Sequence, residues 1–144
     1  MNLPTFLHKK FLLSIFVIFL GTSAHADIIK ERKNAFRDNS IALRAITKSI
    51  RGKDFESIIK NARVIENWSI IMSEYFPNGS GQGDTNASKN IWLDFNSFKL
   101  KISENTAAAR ALIAAAEAEN ISEIKQLTNN LGSTCQSCHM KFKR

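Results

Sequence analysis

From Ala87 to about Glu119 the chain contains neither glycine nor proline, and Ile91, Phe95, Phe98, Ile102, Ala109, Leu112 and Ala116 recur along it at steps of three, four or seven residues. That spacing predicts one long amphipathic helix, and a partner surface must exist to cover its apolar stripe. The rest of the chain obeys the same period. Ile29, Phe36, Leu43, Ile46 and Ile50 mark a first helix over residues 27–51, interrupted by Arg32 and Asn39, with Gly52 placed as its C-terminal cap. A second helix starts at the N-cap Asp54, carries Phe55, Ile58, Ala62, Ile65, Ser69, Met72 and Phe76, and is stopped by Pro77. Residues 76–86 hold three of the six glycines and form the one long loop. Asn120 caps a fourth helix whose face is Ile121, Ile124, Leu127, Leu131, Cys135, Cys138 and Phe142. No stretch alternates with a period of two. Four helices with connections at residues 52–53 and 119–120 must run antiparallel, so the expected fold is an all-α, up-down-up-down four-helix bundle.

Ahead of the first helix lies a different kind of segment. Lys9 and Lys10 precede an eleven-residue apolar run, Phe11 to Gly21, which is followed by Ala24-His25-Ala26. This is the pattern of a cleaved export signal, with residues 1–26 removed and one domain, 27–144, beginning at Asp27. The run is shorter than the roughly 20 residues needed to cross a bilayer. No integral membrane segment is expected after cleavage, and the product belongs in the periplasm or outside the cell. The mature chain would carry 18 Lys and Arg against 13 Asp and Glu. Those charges are interleaved with acids, so nucleic acid is not an expected partner; acidic protein surfaces and anionic membrane are the electrostatic candidates, beside an ordinary solvated helical face.

Maturation leaves one histidine, His139, and both cysteines of the chain stand beside it in Cys135-Gln136-Ser137-Cys138-His139. Cys-x-x-Cys-His is the attachment signature of c-type haem: the thiols bond to the porphyrin and the histidine to iron. On a helix these positions are i, i+3 and i+4, so the three side chains share one face. Gly132, one turn earlier, is either a close-approach point for the haem edge or a tolerated helix glycine. A zinc site would lack a fourth Cys or His ligand, a thioredoxin-like pair would need a βαβ setting, and an i, i+3 disulfide on one helix would be strained. Haem is therefore the expected cofactor, one per chain.

The motif's place on the last helix, together with Arg32 and Phe36, Phe76-Pro77-Asn78-Gly79-Ser80, Ile91-Trp92 and Phe98, resembles the cytochrome c′ family over residues 27–144. The resemblance implies a bundle with its haem on the C-terminal helix, often as a homodimer. It also implies that Arg32 approaches a haem propionate and that Phe36 lies over the distal face. An arginine on an apolar stripe does need an anion, unless its head reaches solvent. Thr85 and Asn86 fall in the loop from which relatives also contact haem. Two positions depart from the family pattern: Lys143 stands where relatives have arginine, on the proximal side four residues after His139, and Lys33 replaces the usual glutamine beside Arg32.

Relatives with an apolar distal residue are usually five-coordinate and high-spin, whereas those with methionine there are low-spin electron carriers. Phe36 cannot ligate iron, so the leading expectation is a five-coordinate haem c protein that binds NO and CO. Without a distal histidine it should form little stable O₂ complex. The alternative is a low-spin electron-transfer cytochrome whose sixth ligand is Met72, docking on an acidic redox partner; Met72 as core packing is the other reading of that residue. A third possibility is a binding module presenting the small residues of Thr106 to Ala118, which a bundle core or a homodimer contact would explain equally well. The mature chain has no spare histidine or cysteine for acid-base or nucleophilic chemistry, so an enzyme is not expected.

Overall fold

The computed structural model describes residues 21–144, with side chains from residue 26 onward. Lys9, Lys10 and nearly all of the apolar run of the expected export signal therefore lie outside the described residues. Five α-helices follow in order: α1 Gly21–Gly52, α2 Phe55–Ile71, α3 Asn90–Leu93, α4 Phe95–Glu117 and α5 Ile121–Phe142. Among the described residues no strand forms, and the one extended pairing is an isolated bridge between Ala87 and Lys143. The four long helices pack in chain order, α1 on α2, α2 on α4 and α4 on α5, and α5 closes back onto α1. This is the antiparallel four-helix bundle.

The core has two parts. Ile46, Ile58, Ile65, Leu112, Ile124 and Leu131 fill the middle of the bundle with essentially no exposure, each contributing about 1.5–3 kcal/mol by leaving water. Ala108, Ala109, Ala115 and Ala116 of α4 belong to this cluster and let neighbouring helices approach α4, while Ala107, Ala111, Ala114 and Ala118 of the same stretch face solvent. A second, aromatic cluster of Trp68, Met72, Phe76, Ile91, Phe98 and Phe142 closes the end of the bundle where α5 terminates.

Three boundaries differ from the periodicity. The expected third helix is broken: Asp94 leaves helical geometry at φ −139°, and its carboxylate accepts the Ser97 amide as the N-cap of α4. Tertiary contacts hold this break. The Asp94 carboxylate also pairs with Lys141 Nζ at 2.8 Å, and the chain just before α3 is bonded to the C-terminus through Ser88 N to Phe142 O and Arg144 N to Asn86 O. The hydrogen bond from Lys141, and then those from Ser97, hold the Asp94 carboxyl down to about 2. Secondly, α2 ends at Ile71, and Met72–Tyr75 tightens into a 3₁₀ turn before Pro77, which disfavours helix in the residue preceding it.

Thirdly, Gly52 is not the left-handed residue that ends α1. Lys53 is, at φ +53°, and Glu119 does the same after α4. Both ends are Schellman motifs: Lys53 N bonds Ile50 O and Asp54 N bonds Ser49 O, while Glu119 N bonds Ala116 O and Asn120 N bonds Ala115 O. A side chain in this conformation costs roughly 1–2 kcal/mol, partly offset by the extra unfolded-chain entropy of glycine. Lys53→Gly and Glu119→Gly should therefore each stabilise the bundle by about 1 kcal/mol, seen as a rise in Tm; a fall for either would show that the left-handed turn carries no strain.

Candidate functional site

A cavity of about 450 Å³ opens between α1, the loop that leads to α3, α4 and the C-terminal half of α5. That volume is typical of a small-molecule pocket. Helical spacing on α5 brings Cys135, Cys138 and His139 to its wall, as the motif requires. Both thiols are free. Burial pushes the Cys135 thiol up, a shift opposed by a hydrogen bond from Asn105 Nδ2 at 3.5 Å. Cys138 is pushed up to about 11, by burial first and then by the neighbouring Cys135. Burial and then the charge of Lys143 push His139 down. At neutral pH the face thus presents two protonated thiols and a neutral imidazole, the form whose lone pair can bind a metal.

Opposite this face, α1 contributes Phe36 and Arg32. The rings of Phe36 and His139 stand 6.3 Å apart at 66°, and Phe36 is held edge-on by Trp68 and Phe76. Arg32 is only 2% exposed. It is no interruption of the apolar seam but part of it. Its Nη1 donates to the Tyr75 carbonyl and Ser80 Oγ, and its Nη2 to the Ser80 carbonyl at 2.8 Å and Thr85 Oγ1 at 2.6 Å. The guanidinium also lies 4.7 Å over the Phe76 ring. Every one of these acceptors is neutral. Burial lowers the Arg32 pKa, because a cation among neutral dipoles is only partly compensated for leaving water. A carboxylate entering the cavity would complete it.

The loop that supplies those acceptors is clipped in place. Trp92 Nε1 donates to the carbonyls of Phe76 and Pro77, and a Cβ on Gly81 would stand 2.7 Å from the Trp92 ring, so only glycine fits there. Thr85 and Asn86 both reach the cavity wall. Thr85 does so by bonding Arg32, and Asn86 through a stretch whose carbonyl accepts the Arg144 amide. Lys143 lies at the rim and Lys33 pairs with Asp84 at 2.6 Å. Gly132 is outside the cavity, and a Cβ there would meet nothing within 4 Å.

Met72, offered by the sequence either as a sixth ligand or as core packing, is a core residue at 5% exposure and also lines the cavity. Other wall residues were not recognised as such from the sequence. Asn105, on the apolar face of α4, accepts from Ser69 Oγ at 2.7 Å and donates to Thr134 Oγ1 at 2.7 Å as well as to Cys135. A polar residue interrupting an apolar stripe was the available signal, as at Arg32. Asn39 Oδ1 is buried in the wall with no hydrogen-bond partner, a group that calls for a polar ligand or water. Among the described residues no three His, Cys, Asp or Glu side chains converge on a metal-ion site.

Comparison with known proteins points the same way. The sequence profile of the family described as Cytochrome C′ matches residues 27–143. Cytochrome c′ of Pararhodospirillum photometricum is 30% identical over 83% of this chain and 96% of its own. The match to cytochrome c′ of Rhodospirillum rubrum is 39% identical and spans about half of each protein, 47%. Among solved structures, cytochrome c prime from Shewanella frigidimarina superimposes with a TM-score of 0.76 at 32% identity, over 83% of this chain and 96% of that one. A ferrous variant of cytochrome c prime from Alcaligenes xylosoxidans with bound NO gives 0.75 at 26% identity, over 83% and 95%.

Proposed function

The chain belongs to the cytochrome c′ family of haem c cytochromes, and on that footing we propose that it is a periplasmic cytochrome with one covalent, five-coordinate haem that binds NO and CO. The observation that carries this reading is that one cavity holds the two free thiols, His139 and, facing it, a phenylalanine with no atom able to ligate iron. Bound there, the haem supplies a redox-active iron with one coordination position open to small ligands.

The residues divide the work. Cys135 and Cys138 would hold the haem through their thiols, and His139 would offer its imidazole lone pair to the iron. Arg32, with Thr85 beside it, supplies a positive charge for a propionate. Phe36 covers the distal face and keeps water and side-chain ligands from it. Lys143 keeps a positive charge near the proximal imidazole without the planar fork of an arginine. The NO complex of the Alcaligenes relative supports diatomic binding here. The family match begins at residue 27, which supports removal of residues 1–26 and the periplasmic location. Val64 and Ile71, exposed on one face of α2, are available to a second copy, as a homodimer requires.

Because Met72 lines the same cavity, a low-spin electron carrier with Met72 as sixth ligand is the second reading. Ferric EPR and ferrous optical spectra with and without CO separate the two. The five-coordinate site gives a high-spin signal and a rapid CO shift, and Met72→Leu leaves both unchanged. A low-spin, CO-resistant spectrum that Met72→Leu alters would replace it with the carrier.

A further inference from the structure

The excess positive charge of the mature domain sits on a single helix. Residues 27–53 contain eight Lys and Arg against three acids, while residues 54–144 contain ten of each. On α1, Lys30, Lys33, Arg37, Arg44, Lys48 and Arg51 are all exposed. They follow one another at steps of three, four or seven residues, which at 100° per residue confines them to an arc of about 60° and a length of about 30 Å. The acids of the helix, Asp27, Glu31 and Asp38, fall outside that arc. Only Lys33 in the stripe has an acidic partner among the described ion pairs, Asp84. Across the cavity mouth, α5 carries no Asp, Glu, Lys or Arg between Lys125 and Lys141, so nothing there neutralises the stripe. Lys33 and Arg37 belong both to the stripe and to the cavity wall.

We propose that this face of α1 is the docking surface for a protein with an acidic patch, which it seats at the mouth of the cavity. A cationic stripe with one apolar residue at its margin, Ile41 at 50% exposure, suits a polar protein interface. It does not suit a lipid surface: an interfacial helix buries its apolar face in the bilayer, and the apolar face of α1, through Ile29, Ala42 and Ile46, is already buried in the bundle. The stripe also disfavours self-association through this face, where like charges would meet. The purpose of docking there, access to a haem, rests on the proposed function; the charge distribution does not.

Purified holoprotein is titrated with poly-L-glutamate of defined length and, separately, with vesicles of phosphatidylglycerol and phosphatidylcholine, at low and physiological salt. The wild type should bind polyglutamate, more weakly as salt rises. The stripe variant Arg44→Gln/Lys48→Gln/Arg51→Gln should bind about tenfold more weakly. A control that removes as much charge elsewhere, Lys60→Gln/Lys99→Gln/Lys125→Gln, should bind nearly as the wild type does. Equal losses in both variants would reduce the effect to net charge and overturn the proposal, as would tight vesicle binding by the wild type without polyglutamate binding. The absorption spectra of the same samples report haem attachment, so failure of the haem reading is seen independently of failure at the stripe.

Discussion

Arg32→Leu is expected to destabilise the haem-loaded protein by about 3 kcal/mol or more, and the haem-free chain by clearly less. In the loaded protein the substitution removes four hydrogen bonds that tie α1 to Tyr75, Ser80 and Thr85 and, on the proposed reading, leaves a haem propionate without its cation. Hydrogen bonds to charged groups contribute about 1.5–3 kcal/mol each, though not additively, and breaking a buried ion pair costs about 3–5 kcal/mol. In the haem-free chain the same change also removes an uncompensated buried cation, and that relief offsets part of the loss. Urea unfolding of both forms measures the difference. Arg32→Lys, which keeps the charge but not the fork, should fall between. An equal loss in the two forms would mean that Arg32 is only a clip for the loop and has no part in holding a propionate.

On the proposed five-coordinate reading, Phe36→Met should convert the site from high-spin to low-spin. The side chain at this position stands against the His139 ring, at 6.3 Å between centroids, and a thioether of similar length offers iron a sixth ligand where the phenyl ring offers none. Ferric EPR should lose its high-spin signal, and ferrous CO binding should slow or stop because the thioether must first leave. Phe36→Leu, apolar and smaller, should remain high-spin and bind CO faster. A Phe36→Met protein that stays high-spin and CO-reactive would remove Phe36 from the distal face.

Much of the site is written in local sequence. The i, i+3, i+4 spacing of Cys135, Cys138 and His139 needs only a helix to put them on one face, and Asp54 and Asn120 cap their helices through amides three residues on. Arg32 was conspicuous as a charge on an apolar stripe. Its partners were less so: Ser80, fully buried, lies 48 residues away in a glycine-rich loop where no periodicity applies. Asn105 interrupts the apolar stripe of α4, but what it does there depends on partners on α2 and α5, Ser69 and Thr134, that only the docked helices bring to it.

Read from local pattern, the chain is helical, Asp54 and Asn120 cap two of its long helices, and three residues form the attachment motif. These properties depend on side chains within a turn or two of one another. Tertiary structure alone decided that Asp94 breaks the third helix, that Lys53 rather than Gly52 turns left-handed, that Met72 faces the cavity and that Arg32 meets neutral oxygens. In each case more than one local conformation or contact was open, and the choice fell to packing or hydrogen bonds that exist only once the helices have docked.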